Sequence, residues 1–280
     1  NFYILKTNEI KRSLIMRLIK RIFEGALDSH TELESFTLEK NEYLSVDIKG
    51  FYRYEHYGYY DDRTPKYINL LKNDFNDKKQ FELDSAVKEL KGSLSNEIKF
   101  ILDNLGWGFD KSSICVVPRS KIRETYTASQ LLFIRTIKDV INTHFITNSG
   151  FDGTDYILRK TNTRTTHLNK KGYGRDGDMP YKGISNDTCI FSNNIKGKNI
   201  LLIDDLYTKT INVIEDMVQA LLDHGARQVA VYAIGYTMLK NTMLNKVNKE
   251  NIPTRVNYYA SSYGKPFVPN DDIPDDDIPF

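Results

Sequence analysis

Residues 200–203 form an unbroken apolar run, Ile-Leu-Leu-Ile, that stops at two adjacent acids, Asp204 and Asp205. A strand with no polar alternation needs cover on both faces, which confines it to the interior of a parallel sheet. Apolar residues then recur at helical spacing over 213–222, Gly225 supplies a stop, and a second apolar run fills 228–234. Strand, helix and strand make one βαβ unit. It predicts an α/β protein, a parallel sheet flanked by helices, with the acidic doublet in a strand-to-helix loop where open α/β sheets bind ligands.

Carboxylates at a strand end can accept hydrogen bonds from the vicinal hydroxyls of a ribose. The turn that follows aims backbone N–H groups and the positive end of a helix at a phosphate. A site reading both groups implies a phosphorylated sugar or a nucleotide. The plainer reading makes Asp205 a helix cap and Asp204 a solvated strand end.

The run from Ile200 through Asp204-Asp205 to Thr208, Lys209, Thr210 and Asn212 resembles the phosphoribosyl pyrophosphate (PRPP) signature of type I phosphoribosyltransferases. The ComF-like branch of that family is the nearer resemblance. Ile114-Cys-Val-Val-Pro-Arg119-Ser120-Lys121 resembles its strand, proline and basic loop, and Gln130 follows. Leu158-Arg159-Lys160-Thr161 through Arg164 and Thr165 resembles its Arg-rich hood, and residues 182–191 lead into the PRPP strand. These segments span roughly 50–240 in the family's order. The resemblance implies a type I phosphoribosyltransferase-like sheet over 49–264, with a flexible hood at about 159–183. An N-terminal helical and strand extension over 1–48 and a disordered acidic tail over 265–280 complete the expected domains.

What the resemblance implies for the site follows residue by residue. Asp204 and Asp205 hold the ribose hydroxyls as the catalytic pair. Thr208, Lys209, Thr210 and Asn212 cradle the 5′-phosphate, and Arg119, Ser120 and Lys121 meet the pyrophosphate. Arg159, Lys160 and Arg164 close over it, shielding an oxocarbenium-like transition state from water, and Mg²⁺ arrives with bound PRPP. Two departures stand out. Lys209, Thr210 and Asn212 replace a Thr, a Gly and a Thr of the family pattern, and losing the glycine removes easy access to unusual backbone angles. The four-cysteine zinc ribbon common in ComF proteins is missing, since the chain holds only Cys115 and Cys189.

Both cysteines sit in apolar strands, which predicts buried thiols in a reducing compartment. No apolar run approaches the roughly 20 residues that cross a bilayer. Basic residues interrupt the early apolar positions, so no cleaved leader is expected, and the localisation expected is cytoplasmic. Residues 11–24 read as a basic amphipathic helix packed on the domain. Residues 42–60 read as one or two strands or a hairpin, 65–74 and 78–104 as helices, the second broken or kinked near Gly92–Ser93, and 125–145 as a third helix. The tyrosine-rich run 51–60 admits base stacking, with the ComF-like entry strand as the competing and preferred reading. His167, inside the hood, is the histidine singled out as a substrate contact; His30, His56, His144 and His224 read as ordinary residues. The basic residues and glycines of 159–183 read as a mobile loop.

Residues 265–280 hold five aspartates against one lysine, which leaves the rest of the chain at +6 against an overall +2. The last six, Asp275, Asp276, Asp277, Ile278, Pro279 and Phe280, resemble the C-terminal tip of bacterial single-stranded DNA-binding protein (SSB). That resemblance implies docking on SSB-tail-binding replication and repair proteins, the phenyl ring in an apolar pocket and the acids on a basic rim. Two functions stand. One is a ComF-like phosphoribosyltransferase-fold protein binding PRPP or a related nucleotide beside single-stranded DNA processing, in DNA uptake or in phage or mobile-element defence such as a retron-type system. The other is a catalytically degenerate sensor or adaptor acting through its tail. Contact with single-stranded DNA or RNA, and assembly as a homo-oligomer, stay open.

Overall fold

The computed structural model describes residues 33–59, 61–145, 150–165 and 177–238. The expectations for the basic N-terminal helix, His167 and the tail from Asp275 to Phe280 lie outside those residues. Along the chain come β1 (Glu34–Leu38), β2 (Ile48–His56), α1 (Lys66–Lys72), α2 (Gln80–Leu105), β3 (Ser112–Val116) and α3 (Leu132–His144). Then follow β4 (Ile157–Arg159), α4 (Ile184–Thr188), β5 (Cys189–Phe191), β6 (Asn199–Tyr207), α5 (Val213–Asp223) and β7 (Gln228–Thr237). Five strands form one sheet in the order β1-β2-β7-β6-β3, and β4 with β5 forms a small antiparallel pair. Within the larger sheet β1 alone runs antiparallel; β2, β7, β6 and β3 are mutually parallel.

The alternation of side chains along β6 and β7 divides the core in two. Leu201, Ile203, Ala230, Tyr232 and Ile234 join one apolar cluster with Leu90, Leu94 and Ile98 of α2 and Ile137 and Val140 of α3. Ile200, Leu202, Val231 and Ala233 join the other with Met217, Val218 and Leu221 of α5. Burial on both faces is why these two strands carry no polar alternation.

Three expectations for the elements need correction. α2 runs unbroken past Gly92, because Leu90, Leu94, Ser95, Ile98 and Leu102 keep one face buried through it. That burial outweighs the roughly 1 kcal/mol a helical glycine costs relative to alanine. The helix starts where Glu82 accepts the Lys79 N–H at 3.0 Å and stops at Gly106, φ 66°, with the Trp107 N–H on the Leu102 carbonyl. The helix expected over 125–145 begins only at Leu132; residues 126–131 instead make a hydrogen-bonded turn in which the Gln130 N–H meets the Thr127 carbonyl. The extension expected over 1–48 cannot include β1, which is laddered to β2 from Glu34↔Tyr52 to Leu38↔Ile48. Its Phe36 ring lies so close over Gly50 that any β-carbon there would collide with it.

The first part of the tyrosine-rich run, Phe51 to His56, lies in β2. Tyr52 packs with Phe36, Tyr207 and Tyr236 in an aromatic cluster, and Tyr54 lies edge-on to Tyr67. Between sheet and helices sits a buried polar group: Arg53 pairs with Glu97, donates to the Tyr67 hydroxyl at 2.9 Å, and Glu97 also accepts the Tyr232 hydroxyl at 2.6 Å. Burial opposes the Arg53 charge, but Tyr232, Glu97 and Tyr67 hold its pKa above the ordinary value. Cys115 and Cys189 are buried free thiols, as expected. Among the described residues no helix is long and apolar enough to cross a membrane.

Candidate functional site

The ladder between β3 and β6 ends at Val116↔Ile203, with one further bond from the Val117 N–H to the Ile203 carbonyl at 3.0 Å. β6 continues for four residues, still paired with β7 at Asp204↔Ala233 and Tyr207↔Tyr236. Asp204 and Asp205 therefore stand inside the last four residues of β6, half-buried and just beyond the edge of β3, and not in the strand-to-helix loop expected for them, because the ladder to β7 carries the strand on through Leu206 and Tyr207. The helices that follow the two neighbouring strands pack on opposite clusters, α3 with the first and α5 with the second. Adjacent parallel strands whose helices diverge in this way open a crevice at their carboxyl ends. The doublet occupies that position.

Its immediate partner was not visible in the sequence. Lys72, the last residue of α1, places its ammonium 3.1 Å from Asp205 Oδ2, with the two side chains 20% and 13% exposed. Asp204 Oδ1 accepts the Asp205 N–H at 2.9 Å. Burial, then the neighbouring Asp205, push the Asp204 carboxyl well above the usual carboxylate range, with Lys72 opposing. Burial also works against the Lys72 charge, but Asp205, Asp74 and Asp204 outweigh it and raise its pKa. A C-terminal lysine suits the negative end of α1 as well.

His56, at the end of β2, belongs to the same neighbourhood. It is 3% exposed, and neither ring nitrogen has a hydrogen bond of acceptable geometry, although the Asn69 side chain is near enough to favour its protonated form. Burial first, and Lys72 second, lower its pKa. Its sequence context, a tyrosine-rich strand, held no signal for this placement.

The loop after β3 is tied inward. The Arg119 guanidinium pairs with Asp74, donates to the carbonyls of Lys72 and Gln130, and lies 4.5 Å from the Tyr126 ring centroid. The Ser120 hydroxyl is 2.7 Å from that of Thr165, and Lys121 Nζ donates to the Thr163 carbonyl at 2.9 Å. Arg159 is held by the Arg119 carbonyl at 3.2 Å and by the Thr188 hydroxyl. Residues 159–165 are thus fastened to the β3 loop, with the Thr163 N–H on the Ser120 carbonyl at 2.7 Å and the Ile122 N–H on Asn162. Of the segment expected as a hood, residues 166–176 lie outside the described residues. Lys160 is exposed, and the half-exposed Arg164 has its N–H on the Asp178 carbonyl.

The loop after β6 shows where the missing glycine matters. Thr210, in the glycine's place, has no positive φ; the left-handed residue is Asn212, at φ 56°. Asparagine tolerates that region better than other side chains. The Asn212 carboxamide oxygen accepts from Asn41, Lys209 pairs with Glu39 at 2.9 Å, and the Thr208 hydroxyl is 2.7 Å from that of Thr237. Thr210 is exposed. In the first turn of α5, Glu215 accepts the Tyr207 hydroxyl and Asp216 accepts the N–H groups of Gly183 and Ser185.

The tertiary structure thus gathers Asp204, Asp205 and, through Lys72, Arg119. It keeps Lys209 and Asn212 together on the β1–β2 turn, and Arg159 beneath the β3 loop. For a divalent cation the doublet is a poor fit, because an ammonium already neutralises Asp205; among the described residues no group of three or more His, Cys, Asp or Glu is placed to hold a metal. Neither a protein-family model, nor a curated protein, nor a solved structure matches this chain.

Proposed function

We propose that the carboxyl ends of β6 and β3 form a binding site for a ribose phosphate, PRPP or a related nucleotide, in a ComF-like protein. One observation carries this reading: two half-buried adjacent carboxylates stand where neighbouring parallel strands send their helices to opposite sides of the sheet. In that role Asp204 and Asp205 receive the sugar hydroxyls. The turn from Thr208 to Asn212 and the first N–H groups of α5 face the phosphate. A calorimetric titration with PRPP, with and without Mg²⁺, tests it. Saturable binding lost in Asp204→Asn/Asp205→Asn supports the site; equal binding in that variant removes it.

A sensor without turnover is the second reading, and the committed state of the basic residues favours it. Arg119 and Lys209, expected on pyrophosphate and phosphate, are engaged by Asp74 and Glu39. A transferase would need them released toward charge developing on a leaving group. Release of pyrophosphate from bound PRPP separates the two: binding with turnover makes the protein a transferase, binding without it a sensor. Recruitment of SSB-tail-binding proteins through the acidic segment is proposed from its residue pattern, and pull-down of such a helicase or exonuclease tests it.

A further inference from the structure

We propose that Lys72 is the resident counter-cation of the acidic doublet and the residue that sets its specificity, making the site one for an uncharged vicinal diol and not for a directly coordinated divalent cation. The inference rests on the doublet being the ligand site. Its geometry comes from three separate segments: the ammonium of Lys72 at the end of α1, the two carboxyl groups at the end of β6, and the imidazole of His56 at the end of β2.

A hard divalent cation seeks several carboxylate or carbonyl oxygens with their lone pairs free. At the doublet, one oxygen of Asp205 faces an ammonium at 3.1 Å and one oxygen of Asp204 is taken by the Asp205 N–H. An incoming cation would have to displace Lys72 or sit beside its charge, in surroundings that are only partly open to water. A sugar diol meets neither obstacle. Its hydroxyls both donate and accept, so they suit a mixed set of groups: a carboxylate already balanced by Lys72, a carboxyl that burial and its neighbour drive toward the protonated form, and an imidazole that burial keeps toward the neutral form.

His56 supplies the independent sign of a ligand. A side chain 3% exposed whose two ring nitrogens have Asn69 nearby but no hydrogen bond of acceptable geometry is rare in a finished core, where buried polar atoms find partners. Lys72 lowers its pKa and Asp205 raises it, which places it in the electrostatic neighbourhood of the doublet. A hydroxyl arriving at the doublet would give it the missing hydrogen bond.

The test uses the full chain and Mn²⁺ alone as the probe, read by electron paramagnetic resonance of free Mn²⁺. The wild type should take up no Mn²⁺ that Asp205→Asn removes. Lys72→Met, checked for folding by circular dichroism, should bind Mn²⁺ at least tenfold more tightly than the wild type, and Asp204→Asn/Asp205→Asn in that background should abolish the gain. Lys72→Gln serves the same purpose if the methionine variant does not fold, and Lys72→Arg, which keeps the charge, should behave as the wild type. Mn²⁺ held by the wild-type doublet, or a folded Lys72→Met or Lys72→Gln that gains none, overturns the proposal. Ribose 5-phosphate titrated into the wild type is the separate arm: its failure to bind removes the sugar-phosphate reading, while the Mn²⁺ result still decides whether Lys72 neutralises the doublet.

Discussion

Lys72 lies 3.1 Å from Asp205 through its ammonium, joining the end of α1 to the end of β6. The same lysine offers its backbone carbonyl to Arg119, so one residue fastens the doublet, the β3 loop and α1 into a single polar cluster. Four consequences are measurable.

Asp204 should make stability fall as pH rises. Its carboxyl has a raised pKa in the folded protein, so the folded state keeps a proton that the unfolded chain releases. Between the two pKa values the folded state therefore binds more protons, and stability declines with pH. Thermal melts across that window should show Tm dropping from the acid side upward, and Asp204→Asn should flatten the decline. An identical slope in the variant means the group is not perturbed as described.

Arg119 is expected to act on stability before it acts on any ligand. Arg119→Ala removes an ion pair to Asp74 and two carbonyl contacts in half-buried surroundings. A loss of about 2 kcal/mol in urea unfolding is expected, and Arg119→Lys should not restore it, since an ammonium lacks the planar fork. Unchanged stability with weakened PRPP binding would instead make Arg119 a ligand contact.

The Arg53–Glu97 pair should behave as a buried ion pair does. Glu97→Leu alone leaves a guanidinium without its carboxylate inside the core and should cost about 3–5 kcal/mol. Arg53→Met combined with Glu97→Leu should recover most of that loss, because the uncompensated charge is gone. A double variant no more stable than the single one argues against this account.

Asn212 should carry the backbone strain of the β6–α5 turn, and Thr210 none. Asn212→Val puts a β-branched residue at φ 56° and should destabilise by about 1–2 kcal/mol. Asn212→Gly suits the angle but gives up the Asn41 contact, so a near-neutral change is expected. Thr210→Gly should bring no gain. A stabilising Thr210→Gly would show that the strain sits at the position where the family pattern keeps its glycine.

Much of the larger sheet was legible because burial writes itself into composition. The runs at 200–203 and 228–234 are strands of a parallel sheet, and both cysteines are buried where their apolar neighbours suggested. Helix ends were read less well. Residues 126–131 carry few apolar groups out of helical phase, so pattern alone started α3 at 125 and not at Leu132, and Gly92 invited a break that the buried face of α2 overrides.

Local chemistry along the chain was enough to dictate that an apolar strand carries two acids late in its run and is followed by a helix, since hydrophobic period and helix-stopping residues act over a few positions. The identity of the groups facing those acids came from packing. Lys72 reaches Asp205, and His56 comes into its neighbourhood, because β2 and β7 are neighbours in the sheet and α1 ends beside β6, an arrangement of segments far apart in the chain. Arg119 reads as a free basic residue until the fold brings Asp74 and two carbonyls around it. Charge pairing depends on distance through space, and only the assembled sheet and its helices set those distances.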